Sequence, residues 1–152
     1  MESLSWSIGY FNELTTNQLY EILALRQEVF IVEQECAYPD ADQKDQNSFH
    51  LMGYNDQNEL MAYSRIVNPG ISYKEPAIGR IVTSPKCRGK GIGKQLMVRS
   101  IQESERLFGS VSIRLSAQCY LIKFYETHQF KVVSEEYLED GIPHVEMLRE
   151  KF

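Results

Sequence analysis

The sequence predicts an α/β fold in which a mixed central β-sheet is flanked by helices on both faces. Short segments rich in β-branched and aromatic residues recur along the chain, as expected for strands. An apolar pattern with helical spacing begins near residue 92, and a glycine-rich loop joins it to the strand before it. At 152 residues, with 43% hydrophobic and 24% charged residues, the chain is expected to form a single domain over residues 1–152.

The first half of the chain predicts a strand, a helical region and a β-hairpin. Thr15 and Gln18 fit a capping box, so a helix is expected to begin there. Its apolar face continues to Phe30, as one helix or as two helices joined near Arg26. The expected strands are Leu4 to Phe11, Phe49 to Tyr54 and Leu60 to Val67, with turn-forming residues 55–58 between the last two.

The second half predicts strands and helices in alternation. A helix is expected to extend to Phe108 and to stop at Gly109, because apolar residues line one of its faces: Ile92, Leu96, Met97 and Ile101. The other expected elements are the strands Ala77 to Thr83, Val111 to Leu115, Phe130 to Tyr137 and Pro143 to Arg149, and a helix from Leu121 to His128.

The run Cys87-Arg88-Gly89-Lys90-Gly91-Ile92-Gly93-Lys94 is the most informative stretch of the chain. Its three alternating glycines leave backbone N–H groups uncovered where a helix begins, and an anion can bind there. Five basic residues and no acidic residue lie between Lys86 and Arg99, although the chain carries a formal net charge of -5. The order of strand, glycine loop and basic helix start therefore predicts a pyrophosphate-binding cradle.

The spacing of the glycines excludes two other phosphate-binding loops. A P-loop needs Ser or Thr after its final Gly-Lys pair, but Gln95 follows Gly93-Lys94. A dinucleotide-binding fold needs Gly-x-Gly-x-x-Gly after its first strand, and this chain has Gly-x-Gly-x-Gly far from its N-terminus. The remaining pattern is Gln/Arg-x-x-Gly-x-Gly/Ala, matched by Arg88, Gly91 and Gly93. With this pattern the chain resembles the GNAT superfamily of N-acetyltransferases.

The resemblance includes a second signature and extends over the whole chain. Phe124-Tyr125-Glu126 and Phe130 resemble the family's Phe-Tyr-Glu-x-x-Gly-Phe, but Gln129 replaces the glycine, so different backbone angles are expected at the turn after this helix. The ElaA-like branch of the superfamily is similar at residues 25–34, His50-Leu51, Ala117-Gln118 and residues 139–144. In this family, the strands on either side of the glycine-loop helix splay apart, and acetyl-CoA enters the cleft.

The resemblance implies a site for acetyl-CoA as cosubstrate. Backbone groups of Ile81, Val82 and Thr83 are expected to bond the pantetheine and to polarise the acetyl carbonyl. The pyrophosphate is expected on the N–H groups of Arg88, Gly89, Lys90, Gly91, Ile92, Gly93 and Lys94. Gln118 and Arg80 are candidates to orient the acetyl group or the acceptor, with a simple structural role as the alternative for each.

Tyr125 is the candidate general acid, because it matches the family's tyrosine in the second signature. A phenol has a reference pKa of about 10, so it is protonated at neutral pH and can donate to the thiolate as that leaves. The alternative is an aromatic side chain that fills the core beside Phe124. Because of its match to the family's tyrosine, we expect Tyr125 to act in catalysis, with part of its role being positional.

The general base is less constrained by the sequence. His144 and His50 each carry a ring of the type that titrates near neutrality. The alternatives are structural histidines, with the proton removed by a chain of waters or lost in bulk solvent. Cys119 has no histidine at a spacing that would make it a nucleophile, so direct transfer is expected.

Two functions from different classes are consistent with these residues. The first is an acetyl-CoA-dependent N-acetyltransferase that transfers the acetyl group directly to a primary amine of an unknown small molecule or peptide. The second is a noncatalytic acyl-CoA-binding sensor or interaction module, against which the presence of Tyr125 argues. The segments Glu33 to His50 and Glu139 to His144 are expected to border the acceptor. Their acidic residues predict a cationic acceptor, with a solvated loop as the alternative reading of residues 33–46.

Composition argues against several other partners. The acidic balance argues against nucleic acid, since the only basic cluster is assigned to the cofactor. No apolar run approaches the roughly 18 residues that would indicate a membrane span. Residues 1–6 lack the basic and apolar regions of a signal peptide, so a cytoplasmic protein without membrane attachment is expected. The oligomeric state is left open, with a homodimer as one alternative.

Cysteines and carboxylates do not predict a metal site. Cys36, Cys87 and Cys119 are far apart in sequence and are expected to be reduced thiols. The segment from Asp40 to Asp45 begins like a calcium loop. However, Lys44 stands at the third ligand position and Asp45 at the turn glycine, so no metal is expected there.

Overall fold

The computed structural model describes residues 3–151. The expected domain over residues 1–152 therefore includes three positions, 1, 2 and 152, that lie outside the described residues. The helices are α1 (Thr16–Arg26), α2 (Ile92–Phe108) and α3 (Ile122–Glu126). The strands are β1 (Ser5–Tyr10), β2 (Ser48–Tyr54), β3 (Leu60–Val67), β4 (Ala77–Thr83), β5 (Ile113–Gln118), β6 (Lys131–Val132), β7 (Tyr137–Glu139) and β8 (Ile142–Arg149).

The strands form one mixed sheet, as the sequence predicts. Its order is β1-β2-β3-β4-β5-β8-β6, and β7 pairs separately with β8. The β4–β5 pair is parallel, and the other pairs within the described residues are antiparallel. The expected β2–β3 hairpin is present, with Tyr54 opposite Leu60. A two-residue turn, Asp140-Gly141, joins β7 to β8, and both residues have the positive φ angles that such a tight hairpin requires.

Helices cover both faces of the sheet because alternate side chains of β3 point in opposite directions. Ala62 and Ile66 belong to the buried clusters that contain the apolar face of α2. Tyr63, one residue away from Ala62, packs with Ile22 of α1 in a third buried cluster. Every residue of β3 is buried, as expected for a strand between two layers of helices.

The ends of α1 and α2 follow the predicted signals. The hydroxyl of Thr15 accepts a hydrogen bond from the Gln18 N–H, and the Gln18 side chain accepts one from the Thr15 N–H, which completes the capping box. After Arg26 the helical path continues without a break as a π-helical segment, Gln27–Glu33. Gly91 and Gly109 flank α2 at its two ends.

The parallel pair of β4 and β5 separates soon after it begins, and this confirms the expected splay. The paired residues are Ala77 and Arg114, near the start of each strand. Beyond Ala77, no residue of β5 in the described chain pairs with β4. The backbone of β4 therefore has an uncovered edge along its second half, where N–H and C=O groups remain available for a ligand.

A β-bulge lies in the same part of β4. Tyr63 pairs with Val82 and Arg65 pairs with Gly79, so one residue of β3 faces two residues of β4. Arg80 lies in the bulge with a φ of 48°, in the left-handed region that non-glycine residues seldom adopt. The bulge turns the strand where it borders the gap between β4 and β5.

The sequence overestimates the regularity of the C-terminal region. The strand expected from Phe130 to Tyr137 is two short strands, β6 and β7, because residues 133–136 bridge between them without strand geometry. The helix expected from Leu121 to His128 is the five-residue α3. The prediction of different backbone angles at Gln129 is wrong. Its φ is 70°, so the residue that replaces the family's glycine adopts the conformation that glycine favours.

Candidate active site

An open cavity of about 440 Å³ lies in the gap between β4 and β5. Its wall includes five consecutive residues of β4, from Gly79 to Thr83, and two residues of β5, Ser116 and Gln118. Other parts of the chain complete the wall: Val29, Phe30, Glu33, Gln34, Cys36, Tyr38, Arg88, Tyr120, Leu121, Tyr125, Glu139, Asp140, Ile142 and His144. The splay of the two strands thus produces a pocket that a small ligand can enter.

The glycine loop is open and adjoins this cavity at Arg88. Gly89 and Gly91 have φ angles of 80° and 74°, which an L-residue rarely adopts. A Cβ added at Gly89, Gly91 or Gly93 would meet no atom within 4 Å, so the space over the loop is open. Gly91 caps α2 without a side-chain hydrogen bond, so the first-turn N–H groups of this long helix remain available to an anion. These features fit a pyrophosphate.

Of the loop residues, Arg88 also lies in the cavity wall. Its guanidinium makes two hydrogen bonds of 2.6 Å to the carboxylate of Glu33. This bidentate ion pair lowers the pKa of Glu33, chiefly through the hydrogen bonds from Arg88. The pair connects the glycine loop to the end of the π-helical segment.

Tyr125 is buried at the bottom of the site, where it meets both the core and the cavity. Its ring makes edge contacts with Phe124 and Phe130. Burial, with a smaller effect of Tyr120, raises the pKa of Tyr125 well above its ordinary value, so the phenol is protonated across the physiological range. Among the described residues, none makes a hydrogen bond with its hydroxyl. Its proton is therefore available to a ligand in the cavity.

His144 lies in the cavity wall, and its two ring nitrogens have different neighbours. Its Nδ1 lies 2.7 Å from the carbonyl oxygen of Ile142. A carbonyl oxygen only accepts, so Nδ1 must carry the hydrogen, and Nε2 has a free lone pair when the ring is neutral. The carboxylate of Glu139 lies 3.4 Å from Nε2. The ring also stacks on Tyr137.

His50, the other candidate base, is a structural residue outside the cavity wall. Its Nε2 donates to the carbonyl oxygen of Asp45 at 2.9 Å, and its Nδ1 accepts from the Tyr63 hydroxyl at 2.7 Å. Both ring nitrogens are thus occupied, and burial lowers the pKa of His50. The prediction of His50 as a candidate base is therefore wrong.

The acidic segment after the π-helical segment is largely neutralised by arginines. Asp40 bonds the Nε of Arg26 at 2.8 Å, and Asp45 bonds Arg26 Nη1 at 2.8 Å. These residues and their neighbours form the Arg–Asp cluster, in which Arg80 and Asp42 are half-buried and the other four are buried: Arg26, Arg65, Arg80, Asp40, Asp42 and Asp45. The carboxylates of this cluster hold guanidinium groups, so the predictions of a solvated loop and of free negative charge for the acceptor are wrong at these three positions.

The two segments expected to border the acceptor do meet at the cavity. Cys36 donates its thiol hydrogen to the carbonyl oxygen of Asp140 at 3.4 Å, which joins the 33–46 segment to the β7–β8 turn. The Gln118 amide reaches the side chain of Gln34 at 3.5 Å. Within the described residues, none of the three cysteines forms a disulfide. Arg80 lies in the wall with its guanidinium held by Asp40 and Asp42.

Several wall residues carried no signal in the sequence. Ser116 has its hydroxyl bonded to Tyr137, and Tyr38 stacks with Arg80. The sequence shows the charge of Glu33 but not its pairing with Arg88, 55 positions away. The motif of the glycine loop does not reveal these contacts, because they join residues that are distant in sequence and meet only in the folded protein.

The fold and this site define an acyl-CoA N-acyltransferase, and comparison with known proteins agrees. The family model of the acetyltransferase (GNAT) domain matches residues 14–151. The chain belongs to the GNAT family of acetyltransferases and is an N-acetyltransferase. In sequence it is similar to ElaA of Escherichia coli, with 38% identity covering 97% of this chain and 97% of ElaA.

Solved structures share the fold. The crystal structure of E. coli ElaA has a TM-score of 0.90 at 37% identity and covers 97% of this chain and 100% of that chain. An acyl-CoA N-acyltransferase from Pseudomonas aeruginosa has a TM-score of 0.92 at 43% identity and covers 97% and 99%. N-acetylglutamate synthase from Neisseria gonorrhoeae, complexed with coenzyme A and N-acetyl-glutamate, is only 14% identical and shares the fold alone, with a TM-score of 0.70 over 99% of this chain and 36% of that chain.

None of the helices within residues 3–151 could span a membrane. Within the same residues, no cluster of three or more histidine, cysteine, aspartate or glutamate side chains is placed to hold a metal ion.

Proposed function

We propose that this protein transfers the acetyl group of acetyl-CoA directly to the primary amine of a small molecule or peptide. The observation that carries the proposal is the cavity that brings together the uncovered edge of β4, the protonated Tyr125 and the Nε2 of His144. Acyl transfer to an amine needs these three elements: a polarised carbonyl, an acid for the leaving thiolate and a base for the amine.

Two regions of the chain bind acetyl-CoA. N–H groups from Arg88 to Lys94, with the side chain of Arg88, hold the pyrophosphate of acetyl-CoA at the start of α2. The backbone of Ile81, Val82 and Thr83 bonds the pantetheine and polarises the acetyl carbonyl, because this edge of β4 is not covered by β5. Gln118, at the end of β5, faces the same cavity and orients the bound groups.

Proton transfer is assigned to two side chains. Nε2 of His144 accepts the proton that the ammonium group of the acceptor must lose before it can attack, and Glu139 stabilises the resulting imidazolium. Tyr125 donates its phenolic proton to the sulfur as the carbon–sulfur bond breaks. The phenol remains protonated until that step, because burial raises its pKa.

A panel of primary amines, incubated with acetyl-CoA, tests the proposal. Thiol release is followed with a chromogenic disulfide reagent, and each product is checked by mass spectrometry for the mass of one acetyl group. The expected result is amine-dependent release with a matching acetylated product. A protein that binds acetyl-CoA but acetylates no amine in a broad panel would contradict the proposed reaction.

A further inference from the structure

The Arg88–Glu33 ion pair occupies a position where both the cofactor and the acceptor are expected. Arg88 belongs to the glycine loop, Glu33 ends the π-helical segment, and both lie in the cavity wall. Their side chains are 43% and 42% exposed. The pair is therefore reached by solvent and by anything that enters the cavity.

A pair with this exposure is held weakly, despite its bidentate geometry. Solvent-exposed ion pairs contribute little to stability, since water and salt screen them. A pyrophosphate brings more than one negative charge, and uncovered N–H groups of the glycine loop supply further donors to it but not to Glu33. Competition for the guanidinium of Arg88 therefore favours the pyrophosphate.

Glu33 differs from the other carboxylates near the cavity. Asp40, which is buried and does not line the cavity, is held by Arg26 and Arg80. Glu139 faces the ring of His144. Among the acidic residues of the described wall, only Glu33 has its partner in the glycine loop. Glu33 is therefore the carboxylate that loses its partner when an anion binds to the loop.

Building on the proposed function, we infer that Arg88 exchanges Glu33 for the pyrophosphate of acyl-CoA, and that the released Glu33 carboxylate binds the ammonium group of the acceptor. The free protein then has no unpaired carboxylate at this position, while the acyl-CoA complex has one. Glu33 is thus a specificity residue for a cationic amine, and it becomes available only after the cofactor has bound.

A double-mutant cycle with coenzyme A, measured by calorimetry, tests the exchange. Glu33→Gln is expected to tighten coenzyme A binding by roughly two- to fivefold, because the ion pair no longer has to be broken. Arg88→Gln is expected to weaken binding. In the Arg88→Gln background, adding Glu33→Gln is expected to change the affinity no further, since the competition is already gone.

Glu35→Gln is the matched control, because it removes the same charge from an exposed residue two positions further on. Tightening by Glu35→Gln equal to that by Glu33→Gln, or tightening by Glu33→Gln that persists without Arg88, would overturn the exchange. If coenzyme A binds none of these proteins, including the parent chain, the proposed function itself fails. Binding with no coupling between the two positions removes only this inference.

The acceptor half is tested with n-butylammonium as a probe, observed by saturation-transfer NMR. The signal is expected to appear or strengthen when coenzyme A saturates the parent protein, and to be weak in the Glu33→Gln variant with coenzyme A. 1-Pentanol, which is similar in size but uncharged, should show no such dependence. An n-butylammonium signal that ignores coenzyme A, or that survives Glu33→Gln, would show that Glu33 does not receive the ammonium group.

Discussion

Tyr125 places a buried phenol at the cavity with no protein partner for its hydroxyl among the described residues. Tyr125→Phe is expected to lower the turnover number by roughly 10²-fold or more while leaving coenzyme A affinity within about twofold, because the variant loses only the proton donor. Pre-steady-state kinetics with an active amine separate the chemical step from product release. An unchanged rate for that step would exclude Tyr125 as the acid.

The rate should also depend on pH in a way that reflects the environment of this phenol. A general acid is lost as the pH rises through its pKa, and burial raises the pKa of Tyr125 above the ordinary value of about 10. No alkaline decline due to Tyr125 is therefore expected below about pH 10. A decline at lower pH that disappears in Tyr125→Phe would contradict this assignment.

His144 offers a lone pair on Nε2, and its other nitrogen is fixed by the Ile142 carbonyl. A general base gives a rate that rises with pH along a limb, and His144→Gln is expected to remove that limb and to lower kcat/KM by roughly 10²-fold. The measurement is kcat/KM against pH for parent and variant. Coenzyme A affinity and the free energy of unfolding serve as controls for a folded site. Survival of the limb would leave His144 a structural role.

At the scale of an element, a substitution at the N-terminus of α2 can stabilise the helix and weaken cofactor binding. Gly93 has space around it, since an added Cβ meets no atom within 4 Å. Gly93→Glu is expected to stabilise the helix slightly, because it replaces glycine and adds a negative charge in the first turn. It is also expected to weaken coenzyme A binding by roughly tenfold or more, because the charge repels the pyrophosphate.

The neutral variant Gly93→Ala separates bulk from charge at the same position. It should gain similar stability from helix propensity but lose less affinity than Gly93→Glu. Thermal unfolding and calorimetry with coenzyme A give both quantities. Equal affinity for the parent chain and Gly93→Glu would place the pyrophosphate away from this helix end.

At the scale of the whole molecule, the Arg–Asp cluster fixes the 33–46 segment onto the sheet beneath the cavity. Asp45 accepts hydrogen bonds from Arg26 and Arg65, both buried. Asp45→Asn is expected to lower the free energy of unfolding by about 3 kcal/mol, because two buried guanidinium groups lose a countercharge. Urea unfolding measures this change. Glu150→Gln, which removes an exposed pair with Lys131, is the control and should cause no measurable loss.

The same cluster should make stability sensitive to acid. Burial acts to raise the pKa of Asp45, but hydrogen bonds and charge attraction from Arg26 and Arg65 outweigh it, so the pKa is lowered on folding. A lowered pKa stabilises the fold above the unfolded value of about 3.9, and this stabilisation is lost as the pH falls below it. The free energy of unfolding should therefore fall between about pH 5 and pH 2, less steeply in Asp45→Asn. Parallel slopes would contradict this.

Local patterns in the sequence determined the elements that organise this protein. The capping box at Thr15, the apolar face of α2 and the glycine run from Gly89 to Gly93 each depend on residues a few positions apart, so spacing alone reveals them. These features gave the fold class and the placement of the cofactor loop. The different backbone angles predicted at Gln129 are not found, because the fold holds this residue at the positive φ that a glycine would adopt.

Only the tertiary structure decided which side chains meet across the cavity. His50 and His144 have similar signals in the sequence. In the structure, His50 has both ring nitrogens hydrogen-bonded in the interior, whereas Nε2 of His144 lies in the cavity wall beside Glu139. The aspartates from 40 to 45 appear as a charged surface loop until Arg26 and Arg65 meet them. Partners such as Arg88 and Glu33 are distant in sequence, and burial and pairing between distant residues depend on how the elements pack rather than on any local pattern.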